Sequence, residues 1–464
     1  MLRRRAWLWQ EVPTKLVARL SVILCVLVFS TALPVSQSGT IARPQQVPLL
    51  YTVAREYQPT AWLNGAERFP GGAAIFISDA TGRLPLVPGF AATADADVSF
   101  DGGRVLFAGK QRPGDRWQIW EVSVPGGHPR QVTSGDADYV RPLYVQPDAM
   151  VYARNAGGAF VMEIAPLGAS DQKRLPLTYA PGSFLPTDVL RDGRVLFEAA
   201  SPAAGRTTSE LYTVYSDGSG VEAYRCDHGA SRYSGKQLPS GDVVFARDGS
   251  LARFTSAFAH DVAVAAPAGN YAGDPVETKD GVWLVSWRAA AQNNFELRKW
   301  TPGAAALQPH IVHAGANVVE PALVKPRPVP NRHPSGLHDW SYANVLCLNA
   351  YTSKHQFADG SIASARLYTR DASGAPRLLG TAPVEKDGSF FVRVPGDQPL
   401  RIELLDSSGR SLHGEAGWFW MRRGEQRVCV GCHAGPETAP ENAVPAILLR
   451  STVPADLTMG NKGS

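Results

Sequence analysis

Five cysteines in 464 residues are too few to staple a chain of this length, so its fold rests on a hydrophobic core and not on a disulfide framework. Charge of one sign is also lacking. The 46 Lys and Arg against 42 Asp and Glu leave a formal +4, and no block of five or more basic residues follows the N-terminal region. That excludes an electrostatic nucleic-acid footprint, and no nucleic-acid partner is expected. No long membrane-type run stands out either: the apolar stretch from Leu20 to Leu33 has 14 residues and is interrupted by Ser21, Ser30 and Thr31. A bilayer-spanning helix needs about 20. What is abundant is turn and strand chemistry, with 44 Gly, 36 Pro and 9% aromatic residues.

A turn followed by an apolar burst recurs through the first two thirds. The series is Asp101-Gly102-Gly103-Arg104-Val105-Leu106-Phe107, Pro147-Asp148-Ala149-Met150-Val151-Tyr152, Asp192-Gly193-Arg194-Val195-Leu196-Phe197, Ser240-Gly241-Asp242-Val243-Val244-Phe245 and Asp280-Gly281-Val282-Trp283-Leu284-Val285. Aligning Val105, Met150, Val195, Val243 and Val282 gives spacings of 45, 45, 48 and 39. Each unit has a second half, such as Trp117 to Val122 followed by Pro125-Gly126-Gly127, or Glu210 to Tyr215 followed by Asp217-Gly218-Ser219-Gly220. Turn, strand, loop, strand and turn at this period point to four-stranded propeller blades over 45–320, six or seven of them. A helical repeat is excluded because the β-branched and aromatic runs alternate with period two.

Five prolines fall between Pro321 and Pro334, and 321–336 is expected to be a stiff linker. Beyond it, 344–349, 362–368, 389–394 and 400–406 read as strands separated by Asp359-Gly360, Asp387-Gly388 and Ser408-Gly409 turns. They imply a small antiparallel β-sandwich over 337–421. The expected class is all-β: a six- or seven-bladed propeller, a sandwich, and a short C-terminal segment, 422–464.

That last segment contains Cys429-Val430-Gly431-Cys432-His433. C-x-x-C-H reads as covalent haem c attachment, with Cys429 and Cys432 as thioether positions and His433 as axial iron ligand; chance yields about one match per thousand chains of this composition. A zinc knuckle wants a second ligand pair at similar spacing, and Cys25, Cys226 and Cys347 are each solitary in sequence. A thioredoxin-like dithiol wants a helix after it, and Gly435-Pro436 starts one poorly. One motif in the chain implies one haem.

Bacterial haem c attachment takes place outside the cytoplasmic membrane, so export is expected. Arg3, Arg4, Arg5, Lys15 and Arg19 precede the apolar stretch, giving 1–40 the layout of a signal peptide, with an uncleaved N-terminal membrane anchor as the alternative. Either places the protein in the periplasm or otherwise outside.

The string from Asp97 to Thr133, with Phe100-Asp101-Gly102 at its front and Gln131-Val132-Thr133 at its end, resembles the blade repeat of TolB-type propellers. The order of parts narrows this further. A propeller, a proline-rich linker, Val345-Leu346-Cys347-Leu348-Asn349-Ala350-Tyr351, the Asp387-Gly388-Ser389-Phe390 turn, and Gly417-Trp418-Phe419-Trp420-Met421-Arg422-Arg423-Gly424-Glu425-Gln426-Arg427 leading into the motif resemble the hydrazine synthase alpha subunit family, most specifically over 341–445.

That resemblance implies a haem beside a propeller and carries an unusual ligand set: a Tyr four residues past the motif His on iron, and the His itself turned to zinc. Here the position is Glu437, so plain His433 ligation is expected, with Glu437 an alternative iron ligand or a solvated loop carboxylate. The family's propeller Cys that helps bind zinc makes Cys226 with His228 a candidate zinc pair; a buried inert thiol is the other reading. Cys347 reads as core. Met421 reads as core filler or as a sixth iron ligand, and Trp418 to Met421 as a strand against the haem face or sandwich core. Arg422, Arg423 and Arg427 suit haem propionates or solvent equally, and His333, His338, His355 and His413 follow no ligand spacing.

Two functions stay open. One is an exported mono-haem c oxidoreductase or electron-transfer protein with a small-molecule substrate and a redox partner protein. The other is a TolB-like propeller binding protein whose haem is structural or absent.

Overall fold

The computed structural model describes residues 47–168, 174–203, 206–224, 230–255, 261–278, 280–415, 417–432 and 442–459. Cys226, His228, His433, Glu437 and the N-terminal segment to residue 46 lie outside the described residues.

Alternation decides the propeller. In the strand Arg104–Lys110, Val105 and Phe107 turn to the preceding sheet and pack with Leu50, Ile75 and Ile77, while Leu106 turns to the following one and packs with Tyr144 and Tyr152. Val195 and Phe197 against Leu196, and Val243 and Phe245 against Val244, divide in the same way. Successive side chains of a strand point to opposite faces, so each repeated burst supplies two inter-sheet cores. Among the described residues, six four-strand paths result, each one blade, and the sixth carries an extra strand. The last inner strand, Asn317–Leu323, pairs with the first strand, Leu49–Ala54, and closes the ring. Pro321 therefore sits inside a strand of the first blade.

The inner strands are broken by bulges in five blades, and that of the sixth is split into Asn270–Tyr271 and Val276–Glu277. Register shifts fall between Ala94 and Asp97, Val140 and Leu143, Pro186 and Asp188, and Tyr233 and Lys236. Asp95, Arg141, Ser234, Asp274 and Glu320 there adopt positive φ, a costly conformation for residues with a side chain that the surrounding bonds must hold. Carboxylates supply those bonds: Glu320 Oε2 accepts the Asp95 amide at 3.1 Å, Asp95 Oδ2 the Arg141 amide at 3.1 Å, and Glu198 Oε1 the Ser234 amide at 2.7 Å. The loop 55–72 covers one end of the axis with Trp62 and Phe69, which pack on Trp117, and buried Arg68 reaches from the loop to Asp95 at 2.7 Å and to Glu320. Burial, then the Glu320 charge, push the Asp95 carboxyl up to about 7.

The sandwich follows at the opposite end. One sheet runs Gln426–Cys429, Tyr342–Cys347, Phe390–Pro395, Ala455–Asp456; the other runs Pro376–Pro383, Ser364–Arg370, Gln398–Leu405, Ser411–Gly414. Val345, Leu367, Phe390, Val392, Leu404 and Met421 fill the space between. The sandwich is antiparallel except at both edges of the first sheet, where Gln426–Cys429 and Ala455–Asp456 pair in parallel. The chain on both sides of the Cys motif is thus part of this sheet.

Candidate functional site

The motif is positioned by a strand. Gln426–Cys429 lies parallel to Tyr342–Cys347, with Cys429 opposite Cys347, and the Cys429 carbonyl accepts the Leu348 amide at 2.9 Å. The chain then turns over the loop Asn349–Thr352. A Cβ at Gly431 would overlap the Thr352 carbonyl oxygen, so glycine at this spacer position lets the motif lie on that loop. The loop is held from beneath by the Asp387-Gly388-Ser389 turn. Gly388 has φ +82 and its carbonyl accepts the Ala350 amide at 2.9 Å. Asp387 accepts the Ala446 amide at 2.7 Å and the Ser389 hydroxyl at 2.7 Å. Burial opposes its charge, and these hydrogen bonds prevail and hold the carboxyl below its ordinary value. One turn thereby fixes both the loop under the motif and the returning chain at Ala446–Arg450.

Cys429 and Cys432 are free thiols, half-buried and packed on the sandwich core, and Cys347 is a buried free thiol in that core. Cys347 as a core residue is as expected; its place beside the Cys429-x-x-Cys432 pair is not legible from a sequence in which it stands alone. Burial raises all three thiols, to about 12 for Cys432, where the Glu415 charge adds to the effect. They stay protonated at neutral pH.

Two histidines come together at this end of the sandwich. The rings of His355 and His413 are 4.1 Å apart, with Phe357 6.4 Å from each. Phe357 and Leu412 pack on the core cluster that also receives Cys429 and Cys432, and Glu415, two residues beyond His413, acts electrostatically on both thiols. The other candidates lie elsewhere: His333 stacks on Tyr215 at 3.9 Å and His338 on Trp340 at 4.4 Å.

The arginine and aromatic run before the motif has a different task from those expected. Trp420 leaves the sandwich and enters blade four, edge-on to Phe184 at 5.6 Å, with its indole N–H donating to the Gly218 carbonyl at 3.2 Å. Arg422 pairs with Asp397 at 2.8 Å, donates to the Asp217 carbonyl and covers the Tyr179 ring at 5.1 Å. Glu425 joins the Gly220 amide, the Arg422 amide and Arg427. Arg422 and Glu425 thus dock the sandwich to the propeller, Arg427 pairs with Glu425 two residues before it, and Arg423 is exposed beside Asp397. Met421 is fully buried in the sandwich core, as core filler.

Among the described residues, no group of three or more His, Cys, Asp or Glu is placed to hold a metal ion, and no helix is long and apolar enough to cross a membrane. What the site offers is two thiols at and just beyond a fixed strand end, with a carboxylate that acts on both and with two imidazoles and an aromatic ring on segments packed on the same core. Such a set can tether a flat conjugated group covalently and offer it nitrogen donors.

Residues 347–434 match the family described as hydrazine synthase alpha subunit middle domain. Hydrazine synthase subunit alpha of Kuenenia stuttgartiensis is 34% identical over 58 residues, which are 12% of this chain and 7% of that protein. The solved Kuenenia stuttgartiensis hydrazine synthase superposes with a TM-score of 0.75 at 18% identity, covering 88% of this chain and 72% of that one. TolB from Acinetobacter baumannii superposes with a TM-score of 0.46 at 14% identity, covering 60% of this chain and 67% of that one.

Proposed function

From the match of residues 347–434 to the hydrazine synthase alpha subunit middle domain, we propose that the chain is a hydrazine synthase alpha-like, exported mono-haem c protein, with Cys429 and Cys432 as the covalent tethers and His433 as the iron ligand. One observation carries the reading: Cys429 and Cys432 are unpaired, half-buried thiols held by a strand end and a glycine-tight turn, at the end of the matched domain.

When bound, haem c supplies an iron that exchanges electrons or takes a small ligand. The chain's own residues set its surroundings. The strand Gln426–Cys429 fixes where the first thioether begins, and the Asn349–Thr352 loop fixes the path to the second. Phe357 and Leu412 supply apolar cover, which lowers the local dielectric. His355 and His413 supply donors on the same end of the sandwich and are the candidates for a further iron ligand or for handling a proton. A haem fixed in a docked two-domain body suits an oxidoreductase or electron-transfer protein acting on a small molecule. Hydrazine chemistry belongs to the named relative.

The test is production in the periplasm of cells with a haem c maturation system. Haem that survives acid extraction and a reduced c-type alpha band, both lost in Cys429→Ser/Cys432→Ser, support the reading. A colourless protein sinks it and leaves the propeller binding protein. Carbon monoxide added to the reduced form then separates an open iron, which shifts the spectrum, from one closed by a strong sixth ligand.

A further inference from the structure

A cavity of about 630 Å³ lies on the propeller axis, between the inner strands and the proline-rich strap from Lys325 to Asn331. That volume is within the roughly 300–1,000 Å³ of small-molecule sites. The strap is fastened. Arg327 pairs with Asp97 at 2.9 Å, donates to the Val98 carbonyl and covers the Phe100 ring at 4.5 Å. The Asn331 amide donates to the Arg191 carbonyl at 2.9 Å. The repeat glycines make this possible: a Cβ at Gly102 would stand 2.9 Å from the Lys325 carbonyl carbon, and one at Gly193 would overlap the Asn331 carbonyl oxygen.

Several polar groups in the wall are already bonded. Asp97 takes Arg327 and the Tyr144 amide, Asp188 takes the Gln237 amide at 2.7 Å, and Arg191 donates to the Leu238 carbonyl at 2.9 Å. Two opposite charges from adjacent blades are not. Glu277 Oε2 is buried with no hydrogen-bond partner. The Lys236 ammonium has Asp188 and Asp274 as electrostatic neighbours but bonds to neither. Both side chains line the same cavity, together with Val189, Leu238 and Val276. An orphaned buried acceptor is destabilising until something donates to it.

We propose that this axial cavity binds a small zwitterion of the amino-acid class, its ammonium on Glu277, its carboxylate on Lys236 and its apolar part on the valine, leucine and proline wall. A ligand with one charge would satisfy one group and leave the other unpaired. The site is separate from the Cys429–Cys432 end and stands whether or not haem is bound there.

The test is calorimetric titration of the full chain with glycine, L-leucine, L-phenylalanine and 4-aminobutyrate, with 4-methylpentanoate and 3-methylbutylamine as single-charge controls. The expected result is saturable binding of at least one zwitterion, weakened about tenfold or more in Lys236→Met and in Glu277→Gln and about as much for the controls. Glu277→Gln preserves shape, and thermal unfolding of both variants verifies that they fold. No saturable binding of any zwitterion at millimolar concentration overturns the proposal. So does binding that neither variant weakens, or a control that binds as tightly as the zwitterion.

Discussion

Cys347 and Cys429 are direct partners across a parallel strand pair, although 82 residues apart in the chain. Residues opposed in this way share a face of the sheet, and the pairing ties the Cys429-x-x-Cys432 motif to the sandwich core. Cys347 fills that core and its thiol is held protonated by burial. Cys347→Ala is therefore expected to lower unfolding free energy by about 1 kcal/mol, the scale of a small core deletion, and to leave haem content per chain unchanged. Haem loss at unchanged stability would mean that the third thiol takes part in loading. Denaturant melts and haem quantification on the same preparations decide it.

Gly431→Ala is expected to cost about 1–3 kcal/mol and to cut the haem-loaded fraction, because its Cβ would run into the Thr352 carbonyl. Val428→Ala, three residues earlier and exposed, should stay within about 0.5 kcal/mol. Equal loading in both variants would remove the Asn349–Thr352 loop from the description of the site.

Trp420→Ala should cost about 3–5 kcal/mol, the range for a buried aromatic, and should loosen the sandwich from blade four. Limited proteolysis around residues 324–341 measures this directly. Faster cleavage there than in the wild type is the expected outcome; an unchanged rate would show that Arg422 and Glu425 suffice to dock the two domains.

The Asp95 carboxyl, pushed from an ordinary 3.8 up to about 7 by burial and the Glu320 charge, binds its proton more tightly in the folded state. Its contribution to stability is complete below the unfolded value of 3.8 and disappears as pH rises through about 7. Asp95→Asn should flatten the fall in unfolding free energy between those limits. An unchanged slope would assign the fall to Asp188, Glu198 and Asp274, which burial also raises.

The propeller was legible because each repeat pairs an Asp-Gly-type turn with a two-sided apolar burst, a signal contained within about ten residues. Ring closure was not. It depends on Asn317–Leu323 meeting Leu49–Ala54, and Pro321 reads locally as the start of a linker. The same holds at the candidate site. Cys429-x-x-Cys432 announces itself by spacing, whereas His355 and His413 meet only through the sandwich topology, and no periodicity marks two residues 58 apart. Arg422 and Arg427 looked available because sequence shows charge and not partner; Asp397, Asp217 and Glu425 are what occupy them. The axial acids were silent for a similar reason. Asp95, Glu198 and Glu320 lie on strands far apart in the chain, and only the closing of the blades brings them to one axis.

The most direct measurement is the absorption spectrum and intact mass of the chain exported from cells with haem c maturation. The expected result is one covalently added haem per chain and a reduced c-type alpha band, with the added mass lost in Cys429→Ser/Cys432→Ser. A folded, exported chain of unmodified mass and no visible absorption would contradict haem attachment at Cys429 and Cys432.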